Sequence, residues 1–508
     1  MMRRAAGCAL SASVCLAAAL AAQEPASTFL PIGDWRARFA EHLITAGVVE
    51  DPAPFERPLR RAALLRAIPS ADTTLARQVS ALLGRLRGDL PGPRDGEALL
   101  AADLGVGGGS QSRRDPLRPA GRGYVAPLGG IDVEAALGRL AIAVHPYFDN
   151  RLKTDPDWHG FTRRVVAGRQ AESYLALQLG PADMAFGTVD QNWGPPAIQG
   201  LMLSDAPYGY DRFSWGLTTR KARLHGFVAQ LDDYVDGNAE VWRRWYVGTR
   251  LALLPSDKVM VAIWQGSLVS GLHRGLDLWY LNPLNLTYVV QANEDSVVDN
   301  SNQVAGLDVQ VGLGHRTRLF GQLLLDDAQV DRKAQTDAKP VQAGVTLGAG
   351  GGLHGGAVAW TVFYTAVTNL TYRTQRGVVE EIREHRVGLA RNLADYDQFT
   401  ARVSWLALNG LLLAPELTIL RRGEGDFRQP MPLPSAWPET KTILSGVVER
   451  TARAAVRADY AAPSGFFGWV DAGVHHLTNR AHVGGVTATR MVWNFGLGWR
   501  REHRLNLR

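Results

Sequence analysis

The stretch 490–499 reads RMVWNFGLGW and alternates strictly between large apolar residues and smaller or polar ones. Successive side chains of a β-strand point to opposite faces, so this segment would place five large apolar side chains on one face. Those five are Met491, Trp493, Phe495, Leu497 and Trp499. A strand needs about 9 to 11 residues to cross a bilayer obliquely, and this segment has that length. The stretch therefore predicts a membrane-crossing β-strand whose apolar, aromatic face contacts lipid.

The same period of two recurs from about residue 131 to the C-terminus. Segments 357–365 and 451–460 each put aliphatic and aromatic residues on one face and small, hydroxyl or charged residues on the other. The polar stretches between such segments have two lengths. They are short at 312–317 and 463–465, and long at 149–160, 291–302, 371–384 and 421–441. Short turns on one rim and long loops on the other are typical of an outer-membrane β-barrel.

The spacing of these segments predicts how many strands the barrel has. At about 20 residues per strand and connection, residues 131–508 would form roughly 16 to 20 strands, and the even-number rule favours about 18. A soluble sandwich or propeller also alternates. Three features favour a transmembrane antiparallel barrel instead. They are the strand length, the aromatic residues on the apolar face and the signal-peptide pattern at the N-terminus, which is described next. Such a barrel is too wide for side chains alone to fill, so its lumen is either water-filled or plugged by the chain.

Residues 1–22 have the pattern of a secretory signal peptide. Arg3 and Arg4 precede a short apolar run that ends in small residues, so the mature protein is expected to be exported. Both cysteines, Cys8 and Cys15, lie inside this segment. The mature chain would then offer no thiol for a disulfide, a zinc–thiolate site or a nucleophile. A lipoprotein attached through Cys8 is the alternative, but few residues precede that cysteine.

The composition excludes some classes of function. The chain has 508 residues, of which 20% are charged, and a formal net charge of +6. The basic residues are spread along the chain, without the clustered basic face expected of a nucleic-acid-binding protein. Anionic glycans and lipid headgroups are compatible partners. No later run approaches the roughly 18 to 20 apolar residues of a transmembrane helix, so a membrane-embedded form must be a closed barrel.

The region before the barrel has a different pattern. Residues 23–104 are predicted to form a small α-helical bundle, because Trp35, Phe39 and Leu43 recur at helical spacing and 74–90 carries a stripe of leucines. Residues 105–130 are rich in glycine, arginine and proline and lack periodicity. They are predicted to be a linker or a loop between the bundle and the barrel at 131–508.

A Trp-Gly-Pro corner at 193–195 interrupts the alternating segments, and Leu201-Met202-Leu203-Ser204 follows it closely. This order resembles the W-G-P…L-x-L-S signature of the capsule assembly Wzi family, which are bacterial outer-membrane proteins. Further elements in the same order are similar to those of the family. They are residues 244–251, the Asn-Pro at 282–283, the N-x-x-A-G-x-D pattern at 302–308 and the paired acids at 326–327. The resemblance covers most of residues 30–330.

The resemblance implies an N-terminal helical bundle that faces the periplasm, a large antiparallel outer-membrane barrel, and a role in attaching or organising capsular or extracellular polysaccharide at the cell surface. The expected partners are that polysaccharide, outer-membrane lipid and lipopolysaccharide. The protein is expected to be a monomer in the outer membrane of a Gram-negative-type cell and to use no cofactor.

Holding a polysaccharide calls for aromatic faces that stack on sugars and for polar groups that pair with hydroxyls and carboxylates. The candidates fall in two segments: Asn192, Trp193, Tyr208 and Tyr210 in the first, and Arg422, Arg428 and Trp437 in the second. For Trp193 we favour a packing role beneath the rigid turn. The loop 421–441 could also plug the lumen or contact lipopolysaccharide, and a solvated loop is the interpretation that we favour among these three.

The sequence predicts no catalytic or metal-binding residues. No G-x-S-x-G occurs, and the adjacent Asp326 and Asp327 would point to opposite faces of a strand, unlike the paired carboxylates of a glycosidase. The acidic loop 293–300 lacks the spacing of an EF-hand. A non-catalytic polysaccharide-attachment protein is therefore the first hypothesis. A porin-like diffusion channel or carbohydrate-uptake channel is the alternative, and an enzyme acting on surface lipid or glycan ranks third.

Overall fold

The computed structural model describes residues 26–70, 72–293, 300–314, 316–327, 339–374 and 377–508. The predicted signal peptide, with both cysteines, lies outside the described residues, as does most of the acidic loop 293–300. Eighteen antiparallel strands pair in chain order, and the last strand pairs with the first to close a barrel. The predicted fold class and the favoured strand number are both confirmed.

The barrel strands are β1 (Glu97–Gly109), β2 (Val125–Leu137), β3 (Leu140–Asp149), β4 (Gly168–Leu179), β5 (Ala182–Thr188), β6 (Asp211–Thr218), β7 (Ala222–Gln230), β8 (Val241–Ser256), β9 (Val259–Leu272), β10 (Asn300–Leu313), β11 (Thr317–Asp327), β12 (Gln342–Leu353), β13 (Val358–Val367), β14 (Tyr396–Leu408), β15 (Leu411–Arg422), β16 (Glu449–Ala461), β17 (Phe466–Thr478) and β18 (Thr487–Asn506). A two-residue strand, Tyr234–Val235, pairs with the start of β8.

The two faces of the strands differ as the alternation predicts. Large apolar side chains on the outer face are exposed, and Leu104, Ile263, Leu417 and Met491 each expose more than half of their surface. The inner face is buried and carries charged side chains such as Arg453. An apolar outer wall is what a barrel presents to lipid.

The two ends of the barrel differ in their connections. Even-numbered strands lead into very short turns, for example 138–139 and 180–181, and these define the short-turn end. Odd-numbered strands lead into long connections, which define the long-loop end. The loops 150–167, 189–210, 368–395 and 423–448 all lie there. The predicted division between short turns and long loops is therefore correct.

In the described part of the chain, three helices precede the barrel, namely α1 (Trp35–Thr45), α2 (Arg61–Ala67) and α3 (Arg77–Asp89). Asp34 caps α1 by accepting a hydrogen bond from the backbone N–H of Arg36 at 2.7 Å. The apolar faces of α1 and α3 share one buried cluster with Leu406 and Leu412, which flank a short turn of the barrel. The bundle therefore docks on the short-turn end. None of the described helices is long and apolar enough to cross a membrane.

The barrel begins earlier than the sequence predicted. Residues 97–109 form β1 and 125–137 form β2, so the predicted linker 105–130 shrinks to the loop 110–124, and the bundle ends before residue 97. The sequence pattern did not reveal β1, because its glycines have no side chains that could alternate between the two faces. Gly108 pairs with Phe495 of β18, and a Cβ at Gly108 would lie 2.7 Å from that ring. The aromatic ring of one strand thus covers the glycine of the next.

Two short helices of the loop 273–299 pack on the outer wall rather than over the mouth. They are α4 (Leu278–Leu281) and α5 (Thr287–Ala292). Tyr280 is buried against Val247 and Val269 of the wall. The amide of Gln265, an outward-facing residue of β9, donates to the carbonyl oxygen of Asn285 at 2.7 Å. The loop thereby satisfies a polar side chain on a mainly apolar face.

Candidate functional site

The Trp-Gly-Pro corner lies inside the barrel. Trp193 is buried and meets the ring of Phe227 edge-on, with 5.4 Å between centroids. Its backbone N–H donates to the carbonyl of Leu203 at 2.9 Å, which closes the corner on the Leu-Met-Leu-Ser segment. Both parts pack against inward-facing apolar residues of β7 to β11. Trp193 therefore packs in the buried interior of the barrel beside the turn, which is the position that we favoured for it from the sequence.

A buried polar network joins this corner to the wall and to the N-terminal region. Arg250 of β8 pairs with Glu56 from the segment between α1 and α2 and, at 3.0 Å, with Asp308 of β10. Asp308 also accepts a hydrogen bond from the amide of Gln322 at 2.8 Å. Gln322 in turn donates to the carbonyl of Trp193 at 3.0 Å and accepts from the N–H of Leu201 at 2.8 Å. One chain of bonds therefore holds two inserted segments.

A third segment reaches the same core from the loop 368–395. The N–H and the hydroxyl of Ser204 each donate at 2.7 Å, to the carbonyls of Leu389 and Ala390 respectively. The hydroxyl of Tyr372 donates to the carbonyl of Leu201. The sequence left open whether the lumen is water-filled or plugged by the chain. In the described residues, folded chain from three segments occupies the lumen, so it is plugged.

Above this filled lumen, the long loops enclose an open cavity of about 440 Å³, which we call the mouth pocket. Five arginines and three carboxylates line it, together with neutral residues. The arginines are Arg113, Arg118, Arg386, Arg422 and Arg428, and the acids are Asp157, Glu424 and Asp426. Four different loops and the end of β15 contribute them, so only the closed barrel brings them together.

Backbone and carboxylate groups hold the pocket arginines in place. Arg428 donates through Nε to the carbonyl of Arg386 at 3.0 Å and through Nη1 to Asp426 at 2.8 Å. Arg118 donates to the carbonyl of Asn392 at 2.7 Å and pairs with Asp115 at 2.8 Å. Burial opposes the charge of Asp115, but the guanidiniums of Arg118 and Arg391 lower its pKa to about 2. These partners hold the guanidinium groups of Arg428 and Arg118 in fixed positions at the pocket.

The predicted site residues lie in three different places. Arg422 and Arg428 line the mouth pocket together. Asn192, Trp193, Tyr208 and Tyr210 are each less than a tenth exposed. The amide of Asn192 bonds the backbone of Ile198 and Gly200, and so braces the turn.

Tyr208 packs against the loop 150–167, which also contributes Asp157 to the pocket. Its hydroxyl donates to Asp155 at 2.6 Å, and Arg114 lies over its ring at 4.1 Å. Burial raises the pKa of Tyr208 well above its usual value. Tyr210 lies in the lumen core with Arg212 5.1 Å from its ring centre. Trp437 lies in the loop 423–448 and is half-buried, with its indole N–H on the carbonyl of Pro432, outside the pocket lining.

Sequence reasoning missed Arg113, Arg118 and Arg386. The first two fall in the stretch that was interpreted as a linker, and Arg386 lies in the turn of a short hairpin formed by Arg383–Glu384 and Val387–Gly388. The clustering of arginines in 113–122 was the available signal, but nothing local showed that it faced the loop 423–448.

A second cavity, of about 330 Å³, opens on the outer wall. Tyr364, Asp397, Phe399, Ile419, Arg421 and Arg450 line it. Arg421 precedes Arg422 on β15 and therefore points to the opposite face. This cavity faces lipid and is separate from the mouth pocket.

No family model and no curated protein matches the chain. Among solved structures the chain is similar to Wzi, an outer-membrane protein involved in group 1 capsule assembly in Escherichia coli and described as a carbohydrate-binding β-barrel. The TM-score is 0.62 at 12% identity, over 94% of this chain and 99% of that chain. It is also similar to the outer-membrane protein OprD from Pseudomonas aeruginosa, with a TM-score of 0.45 at 10% identity over 82% and 95% of the two chains. The likeness to Wzi shows the fold, which is an 18-stranded antiparallel β-barrel of the outer-membrane type.

Proposed function

We propose that this protein is a non-catalytic outer-membrane barrel that attaches or organises capsular or extracellular polysaccharide at the cell surface. In this proposal the long-loop end faces outward and the helical bundle at the short-turn end faces the periplasm. The mouth pocket, with Arg422 and Arg428, is the contact point for the polymer. The carbohydrate-binding barrel described for Wzi supports the same assignment.

One observation carries the proposal: the lumen is filled while the mouth is cationic. Arg250, which would line an open channel, is fully buried between Glu56 and Asp308. A diffusion channel needs a continuous wet path, and buried ion pairs of this kind bind the inserted segments to the wall. The surface available for binding a polymer is therefore that of the loops. In the lining of the mouth pocket, guanidinium groups outnumber carboxylates.

The chemistry of the pocket suits an acidic polymer. Guanidinium groups recognise carboxylates through paired hydrogen bonds, and they bond sugar hydroxyls as well. Arg422 and Arg428 keep about a quarter and a third of their side chains exposed despite their partners. A polymer makes such weak contacts with many protein copies at once, so avidity gives firm attachment.

The direct test measures binding of the detergent-purified protein to alginate, a polymer of uronic acids, with dextran as the neutral counterpart. Because hydrogen bonds to charged groups are each worth about 1.5 to 3 kcal/mol, Arg422→Gln and Arg428→Gln should each weaken alginate binding roughly tenfold. Arg421→Gln is the matched control, because it removes the same charge from the outer wall one residue away. Equal loss in all three variants, or equal binding of dextran, contradicts the proposal.

A cellular test separates attachment from transport. Deletion of the gene should release polysaccharide into the medium without lowering the total amount made. The purified protein should show no steady conductance in planar bilayers. Porin-sized conductance together with normal surface polysaccharide in the deletion strain would establish the channel alternative instead.

A further inference from the structure

Beside the mouth pocket, a second cluster of polar side chains is built from residues far apart in the sequence. Asp232 follows β7, whereas Glu384 and His385 belong to the hairpin in the loop 368–395. One ligand atom from each of these residues lies within 4.8 Å of the others. The Nδ1 atom of His385 is 3.9 Å from Asp232 Oδ2, and its Nε2 atom is 3.3 Å from Glu384 Oε1.

The framework of the cluster is bonded independently of the atoms that converge. Oδ1 of Asp232 accepts from the N–H of His385 and from Arg244 Nη1, each at 2.8 Å. Oε2 of Glu384 accepts from the N–H of Asp232 at 3.0 Å. These bonds occupy one oxygen of each carboxylate. The other oxygen of each faces the imidazole of His385.

A second imidazole reaches the same place from a third loop. The ring of His159, in the loop 150–167, stacks on that of His385 with 3.8 Å between centroids and 23° between planes. The stacking places a second imidazole against His385, next to the two carboxylates.

We propose that Asp232, Glu384 and His385 bind a divalent transition-metal cation of the Zn²⁺ class, with His159 beside it. Two carboxylates and an imidazole are a donor set that suits Zn²⁺, whereas Ca²⁺ and Mg²⁺ prefer oxygen ligands alone. Ligand atoms around one Zn²⁺ lie roughly 3 to 4 Å apart, because each bond is about 2.0 to 2.2 Å long. One ligand atom of each residue already lies within 4.8 Å of the other two, so small side-chain movements that bring both carboxylates to the same imidazole nitrogen would reach that arrangement.

The cation would join the chain after β7 to the hairpin that carries Arg386. Arg386 lines the mouth pocket, and its carbonyl accepts hydrogen bonds from Arg428. A metal at this position would therefore fix one wall of the pocket. It would bind whether or not the pocket holds a polysaccharide, so the two proposals fail separately.

The test is titration calorimetry of the detergent-purified, chelator-treated full chain with ZnCl₂. We expect one binding site per chain. His385→Gln should weaken binding at least tenfold, because it removes the nitrogen ligand from a side chain that is about two-fifths exposed. The matched control is His273→Gln, which removes another loop histidine that pairs with a carboxylate, that of Glu240 at 3.6 Å.

Co²⁺ supplies a second readout that does not depend on the variants. Bound to the unaltered protein in place of Zn²⁺, it should give visible absorption bands that stoichiometric Zn²⁺ abolishes. Asp232→Asn gives a further variant, and its heat-modifiable gel mobility reports whether it has folded. The proposal is overturned if the unaltered protein shows no stoichiometric site, or if His385→Gln and His273→Gln bind Zn²⁺ equally well.

Discussion

Arg250 of β8 and Asp308 of β10 form an ion pair in the middle of the barrel, with Nε and Oδ2 3.0 Å apart and both side chains fully buried. The two strands are separated by β9, so the pair spans the inner face of a third strand. Because Glu56 also bonds Arg250, the same guanidinium ties the N-terminal segment to the wall. The interior of this barrel is therefore a folded core, held by charge as well as by apolar packing.

Replacing Arg250 by methionine should destabilise the protein by about 3 to 5 kcal/mol, because two carboxylates are left buried without their cation. The free energy of unfolding can be measured by urea denaturation in detergent micelles. Arg508→Met is the control, since its partner Asp95 and Arg508 itself are both well exposed. That change should leave the free energy of unfolding nearly unaltered. Similar losses in both variants would show that the lumen pair is solvated.

Docking of the helical bundle should weaken in mild acid through His42 of α1. Its Nδ1 atom lies 2.7 Å from the hydroxyl of Ser404, and Nε2 lies 3.1 Å from the carbonyl of Gly356. Burial lowers the pKa of His42 from 6.5 to about 4, against the opposing hydrogen bond to Gly356. The undocked, solvated histidine takes up a proton below pH 6.5, whereas the docked one does not until about pH 4. The contribution of neutral His42 to the stability of docking is therefore fully present above pH 6.5, and it is lost progressively as the pH falls toward 4.

The loss due to His42 should approach about 3 kcal/mol, since each pKa unit corresponds to about 1.4 kcal/mol. Helical ellipticity at 222 nm during urea titration at pH 7 and pH 4.5 measures it. In His42→Gln the difference between the two pH values should shrink, because glutamine can bond the same partners without titrating. An undiminished difference would assign the pH dependence to another group.

The seam between the first and last strands should not tolerate a side chain at Gly105. A Cβ there would lie 2.2 Å from the carbonyl oxygen of Leu497, a backbone atom that cannot move aside. Gly105→Ala should therefore lower the temperature at which the folded barrel unfolds in a gel-shift assay. Gly84→Ala is the control, because nothing lies within 4 Å of a Cβ at that helical position. It should be neutral or stabilise the bundle by up to about 1 kcal/mol.

Trp193 and Trp437 should respond differently to truncation. Trp193→Ala removes a buried aromatic ring from the lumen core and should cost about 3 to 5 kcal/mol in unfolding free energy. Trp437→Ala removes a half-buried side chain from a loop and should cost less than about 1 kcal/mol. Urea unfolding measures both values. A small effect at Trp193 would contradict its role as the anchor of the Trp-Gly-Pro corner.

Local pattern was sufficient for most of the barrel. The faces of β13, β16 and β18 follow directly from the alternation of their residues, because side-chain direction in a strand repeats every two residues whatever surrounds it. The same rule failed for β1, where glycines carry no side chain to alternate and Phe495 of β18 supplies the missing cover.

Residue order alone therefore established an alternating chain that closes as a barrel, with short turns at one end and long loops at the other. Closure of the sheet decided the contents of that barrel. It placed the Trp-Gly-Pro corner beneath the loops, brought Arg118 beside Arg428, and set Glu384 and His385 against Asp232. Glu384 and Asp232 are 152 residues apart in the chain. Contacts over such separations depend on the path of whole strands, so no local period in the sequence encodes them.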